Sequence, residues 1–65
     1  MNESDIRQIL FASEIESIEE FRSFYAVVVY GDVSSLDVAR LTDAFGNVVI
    51  YGMVDHRLEL HISKS

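Results

Sequence analysis

The chain has 65 residues, of which 49% are hydrophobic and 11% aromatic, with no proline and no cysteine. This composition is typical of a single small globular domain over residues 1–65, and it excludes disulfides, thiolate metal sites and thiol catalysis. Eleven acidic residues against five basic ones give a formal net charge of −6, which disfavours direct binding to nucleic acid or to an anionic membrane.

The N-terminal sequence MNESDIRQ is polar and acidic, whereas a signal peptide is basic and then apolar. No run approaches the ~20 apolar residues of a membrane span, so a cytoplasmic location is expected. A chain of this length buries only a small core, and small domains commonly gain stability by oligomerisation. The sequence therefore favours a protein that self-associates.

The first third of the chain predicts a helix preceded by an ambiguous segment. Residues 6–12 fit either a short strand or a further helical turn capped by Ser4. Ser13 and Glu16 have the spacing of a capping box, which predicts a helix from Ser13 to about Phe24. Apolar residues recur along this segment at helical steps, at Ile15, Ile18, Phe21 and Tyr25. An acidic stripe is expected on its outer side, formed by Glu16, Glu19 and Glu20.

The middle of the chain predicts a strand followed by a second helix. Tyr25 to Val33 is rich in β-branched and aromatic residues and is apolar at both parities, as in a buried strand. Ser34 and Asp37 then form a second capping pattern, and residues 36–45 repeat apolar side chains at helical spacing before Gly46. A strand is the alternative for residues 36–45, but strict alternation fails there.

The C-terminal third predicts a β-hairpin. Val48 to Val54 is apolar at both parities, and Arg57 to Ser63 alternates between apolar and polar side chains. The connection between them is short and contains Asp55 and His56. The expected fold is an α+β two-layer sandwich, with two helices on one face of a three- or four-stranded mixed sheet. Its strand–helix–strand unit is expected to join parallel strands by a right-handed crossover.

The second face of this sheet requires a cover. Leu58, Leu60 and Ile62 must face the helices, yet the other strands carry apolar residues on both sides. Exposed apolar patches of this kind usually mark an interface, and sheet-to-sheet homodimerisation is the simplest hypothesis. The candidate interface residues are Val28, Tyr30, Val49, Tyr51 and Met53.

The sequence contains few candidates for chemistry. Glu59 and His61 lie two apart on one strand face, near Asp55 and His56, so a divalent metal or an acid–base pair is conceivable there. The same alternation is typical of the solvated face of an end strand, so neither an enzyme nor a cofactor is predicted. The prediction is a small acidic protein–protein interaction module, homodimeric through its sheet. The alternative is an acidic inhibitor or nucleic-acid mimic that binds a protein with a basic surface.

Overall fold

The computed structural model describes residues 2–31 and 33–64, apart from the side chains of residues 53 and 54. Along these residues the elements are α1 (Glu3–Ile9), β1 (Glu14–Glu20), β2 (Phe24–Tyr30), α2 (Ser35–Phe45), β3 (Val48–Val54) and β4 (Arg57–Ser63). The strands form one sheet in the order β1-β2-β4-β3, and every neighbouring pair is antiparallel. The fold is a small α+β fold, and the prediction of a mixed sheet was wrong.

Helix α1 resolves the ambiguity of residues 6–12 in favour of a helix at their start. Its cap is Asn2 and not Ser4, because the Asn2 side chain accepts hydrogen bonds from the backbone N–H groups of Ser4 (3.0 Å) and Asp5 (3.4 Å). The Asp5 carboxylate accepts in return from the Asn2 N–H (2.8 Å), which completes a capping box. This short helix places Ile6 and Leu10 in the core.

The predicted helix from Ser13 to Phe24 was wrong, because residues 14–20 form strand β1. Ile15 and Ile18 are three residues apart, which resembles helical spacing. In the strand, a β-bulge lies between Ile15 and Ser17, so Ile15 faces Val29 and Ile18 faces Val27 on the same side of the sheet. One inserted residue thus gives a strand the apolar spacing of a helix turn.

Helix α2 and the C-terminal hairpin were predicted from local signals, and both are confirmed. The Ser34 hydroxyl accepts from the backbone N–H of Asp37 (3.1 Å), as the capping pattern requires. Strands β3 and β4 are joined by Asp55 and His56, both with positive φ (53° and 63°), as in a type I′ turn. Gly46 ends α2 with a φ of 100°.

The predicted crossover between adjacent parallel strands was wrong in its pairing. Strands β2 and β3 run in the same direction, because each is antiparallel to β4. Strand β4 lies between them and hydrogen-bonds to both. The chain therefore passes from β2 through α2 to an outer position of the sheet, and the last strand fills the gap.

The core lies between the helices and one face of the sheet. Its buried residues come from both helices, from the C-cap of α1 and from the two central strands: Ile6, Leu10, Leu41, Phe45, Tyr25, Val27, Val29, Leu58, Leu60 and Ile62. Tyr25 and Phe45 meet edge to face, with ring centroids 6.4 Å apart. Both helices therefore cover the same side, and within the described residues no helix lies over the opposite side of the sheet.

Candidate functional site

The uncovered side of the sheet, called the open face below, is the candidate functional surface. Successive side chains of a strand point to opposite sides, so the neighbours of the core residues on β2 and β4 point away from the helices. The cross-strand pairs Ala26–His61, Val28–Glu59 and Tyr30–Arg57 lie on this face. Strand β1 adds Ser17 opposite Val28 and Glu19 opposite Ala26, and β3 adds Val49 opposite His61.

The structure places four of the five predicted interface residues on the open face: Val28, Tyr30, Val49 and Tyr51. Val28 is half-buried, Tyr30 is 39% exposed, Val49 is 50% exposed and Tyr51 is 61% exposed. The side chain of Met53, the fifth predicted residue, lies outside the described part of the chain. Whether these residues bind a partner stays a prediction.

Four rings cross the open face in a continuous row, called the aromatic row below. Phe21 stacks on Phe24, with centroids 4.7 Å apart, and Phe24 stacks on His61 at 4.8 Å. Tyr51 completes the row at 4.2 Å from His61. The row starts in the β1–β2 turn and reaches β3, so it spans the width of the sheet. Aromatic contacts of this kind fix ring orientation and add to the stability of a surface.

The sequence interpretation missed Phe21 and Phe24 because it placed both in a helix. The signal that could have found Phe24 is the parity of β2, in which Phe24, Ala26, Val28 and Tyr30 alternate with buried residues. Extending the alternation of Ala26, Val28 and Tyr30 by two residues towards the N-terminus adds Phe24 to the open face. Phe21 has no such signal, because it lies in a turn.

Glu59 and His61 come together on the open face as the sequence indicated. Glu59 Oε2 lies 2.6 Å from Nε2 of His61, and the His61 side chain is 24% exposed. Within residues 2–31 and 33–64, no three histidine or carboxylate side chains are arranged to hold a metal ion. This hydrogen bond orients the His61 ring, which lies between Phe24 and Tyr51 in the aromatic row.

A second polar cluster lies at the far end of β2. The Tyr30 hydroxyl donates to Glu16 Oε1 (3.0 Å) and accepts from Arg57 Nη2 (3.3 Å), and Arg57 Nε lies 3.0 Å from Glu16 Oε2. The Arg57 guanidinium also lies 5.4 Å from the centre of the Tyr30 ring. The hydrogen bond with Tyr30 and the charge of Glu16 raise the pKa of Arg57.

The predicted acidic stripe does not lie along a helix. Glu16, Glu19 and Glu20 lie on β1, where Glu19 is opposite Ala26 of the open face and Glu20 is opposite the buried Tyr25. Glu16 pairs with Arg57, and Glu20 pairs with Lys64 (2.6 Å). The prediction of one continuous stripe was therefore wrong in geometry, because a strand sends neighbouring side chains to opposite sides. A docking role for these acids stays a prediction.

No protein-family model, curated protein or solved structure is significantly similar to this chain. Within the described residues, neither helix is long and apolar enough to cross a membrane.

Proposed function

We propose that this protein is a small protein–protein interaction module that works as a homodimer joined through its sheet. The observation that carries the proposal is that β3, an edge strand of the sheet, is uncharged and exposes apolar side chains. No charged residue occurs from Val48 to Val54, and three consecutive side chains of β3 are at least half exposed: Val49, Ile50 and Tyr51. The register of β3 against β4 is regular from Val48 to Ile50 and shifts between Ile50 and Met53. A regular edge segment without charge or proline, such as residues 48–50, is a template for pairing with another strand.

The opposite edge of the sheet, β1, differs from β3 in its charge. Strand β1 carries four glutamates in seven residues, at positions 14, 16, 19 and 20. Charged side chains on an edge strand oppose pairing, and a second copy of a chain with net charge −6 brings the same charges. Self-association through the sheet is therefore favoured at β3 and disfavoured at β1.

Antiparallel pairing of two β3 strands across a two-fold axis satisfies the free backbone groups of both copies. Val49 lies opposite His61 on the open face, whereas Ile50 lies opposite the buried Leu60 on the helix side. A partner strand would then cover apolar side chains on both sides of the sheet. The two open faces would lie side by side in one continuous sheet, available to a further protein.

The competing arrangement is a dimer in which the two open faces stack on each other. It is disfavoured because it would bury charged side chains. The open face carries the carboxylates of Glu16, Glu19 and Glu59, and its cation Arg57 already pairs with Glu16. Two stacked copies would bring the unpaired carboxylate of Glu19, and that of Glu59 with only His61 as its partner, into a desolvated interface, which is expensive. Edge pairing leaves these groups in water.

The test is molar mass by light scattering across a dilution series at low and high salt. We expect a dimer for the wild type that resists high salt and a monomer for Ile50→Lys, because a lysine pointing from the edge strand blocks strand addition. Leu36→Asp is the matched control, since Leu36 is 60% exposed on α2, and it should remain dimeric.

Two outcomes would contradict the proposal. A wild type that is monomeric at every concentration would remove the homodimer. A dimer that Tyr51→Asp breaks and Ile50→Lys leaves intact would replace edge pairing by stacking of the open faces, because Ile50 lies on the helix side. Circular dichroism of each variant shows that a monomer is a folded monomer.

A further inference from the structure

The open face also contains a depression between β1, β2 and β4. Its floor is Ala26, which lies between Glu19 of β1 and His61 of β4 in the cross-strand register. The depression has a volume of about 200 Å³ and is lined by Ser17, Glu19, Phe21, Phe24, Ala26, Val28, Glu59 and His61. It exists because the small side chains of Ser17 and Ala26 are surrounded by larger ones.

We propose that this depression binds an arginine from a basic segment of a partner protein. A guanidinium group is planar, stacks on aromatic rings and donates paired hydrogen bonds to carboxylates. The lining supplies both kinds of partner. The carboxylates are those of Glu19 and Glu59, and the ring is that of Phe21, because Phe24 already stacks on both Phe21 and His61.

The two carboxylates have acceptor capacity left for such a ligand. Within the described residues, the Glu19 side chain makes no hydrogen bond or ion pair. Glu59 is hydrogen-bonded to His61 through one oxygen, and its side chain is 47% exposed. A carboxylate has about four lone-pair sites, so Glu59 can accept from a guanidinium while keeping its bond to His61.

Charge complementarity identifies the partner as basic. Four carboxylates lie on the open face, those of Glu14, Glu16, Glu19 and Glu59. Arg57 pairs with Glu16, and the whole chain has a net charge of −6. Such a surface attracts basic segments and repels the phosphates of a nucleic acid, although rings on a sheet also suit the stacking of bases. The acidic surroundings therefore favour a basic protein segment over a nucleic acid.

This site does not rest on the homodimer. The depression is formed by β1, β2, β4 and the β1–β2 turn, and the edge proposed for self-association is β3. A monomer and an edge-paired dimer would both leave it accessible. Failure of one proposal is therefore distinguishable from failure of the other, because molar mass and peptide binding are separate measurements.

The experiment measures fluorescence anisotropy of a short labelled peptide with arginine at alternate positions, at low and at high salt. We expect saturable binding that weakens at high salt and falls about tenfold in Glu19→Gln, since a hydrogen bond to a charged group is worth at least that factor. Glu14→Gln is the matched control, because it removes the same charge from the same strand at a position outside the depression.

Ala26→Leu fills the depression without changing charge, and it should abolish binding while leaving the molar mass unchanged. Equal losses in Glu19→Gln and Glu14→Gln, or full binding by Ala26→Leu, would show that the peptide responds only to overall charge. Absence of peptide binding at low salt, or tighter binding of a labelled single-stranded oligonucleotide than of the peptide, would also overturn the proposal. Ile50→Lys should bind the peptide as the wild type does.

Discussion

The cross-strand pair Ile50–Leu60 can show how much burial under the helices contributes to stability. Its two residues share one position along the sheet and differ in burial. The two residues lie directly opposite each other on the helix side of β3 and β4. Leu60 is fully buried, whereas Ile50 is 50% exposed because it lies at the sheet edge. Each can be replaced by alanine, and the two side chains have the same number of carbon atoms.

The expected losses follow from this difference in cover. Leu60→Ala leaves a cavity in the core and should cost about 2–5 kcal/mol of unfolding free energy. A domain of this size has about 3–10 kcal/mol in total, so this substitution brings the protein close to unfolding. Ile50→Ala removes half-exposed surface and leaves no enclosed cavity, so its cost should be about 1 kcal/mol.

The assay is urea denaturation followed by far-ultraviolet circular dichroism at several protein concentrations. Leu60→Met is the control that keeps side-chain volume, with an expected cost below about 1.5 kcal/mol. If two copies pair through β3, the cost of Ile50→Ala should also rise with protein concentration, because the partner then covers Ile50. Equal costs for the two alanine variants at low concentration would refute the reasoning, since they would mean that helix cover contributes nothing at this rung.

Three further substitutions test local features of the backbone by the same denaturation assay. Ser34→Ala should lower the free energy of unfolding by about 1 kcal/mol, because it removes the α2 cap. Ser35→Ala is the control, because Ser35 is next to Ser34 and makes no cap hydrogen bond, and it should stay within about 0.5 kcal/mol of the wild type. Equal effects of the two substitutions would show that the cap contributes nothing. His56→Gly should gain about 0.5–1 kcal/mol, because φ is +63° at this position; a loss would contradict the left-handed turn. Gly46→Ala should lose about 1 kcal/mol, because φ is +100° after α2; an unchanged midpoint would show that this conformation is not required.

The predicted elements that the structure confirms depend on short-range signals. The strand predicted from Tyr25 to Val33 is β2, and its signal is a run of β-branched and aromatic residues. Helix α2 begins where Ser34 can cap the N–H of Asp37, and it ends at Gly46. The C-terminal hairpin depends on two strand-forming runs separated by two residues. The alternation of Leu58, Leu60 and Ile62 also set which side of β4 faces the core, because strand geometry has a period of two.

The predicted helix from Ser13 to Phe24 was wrong because a helix and a bulged strand can give the same spacing of apolar residues. Ile15 and Ile18 fit a helix turn and a bulged strand equally well, and Ser13 with Glu16 resembles a cap in either case. The outcome depends on β2, whose hydrogen-bonding edge accepts residues 14–20 as a partner strand. A pairing with residues 24–30 is a tertiary contact, and no pattern within residues 13–24 encodes it.

Sequence alone determined the acidic charge, α2, the C-terminal hairpin and the side of the sheet on which Val28, Tyr30, Val49 and Tyr51 lie. The tertiary structure decided the strand order, the antiparallel sheet, the aromatic row and the depression over Ala26. The physical reason is the range of the interactions. Caps, turns and alternation act within a few residues, whereas Phe24, His61 and Tyr51 become neighbours only when β4 inserts between β2 and β3.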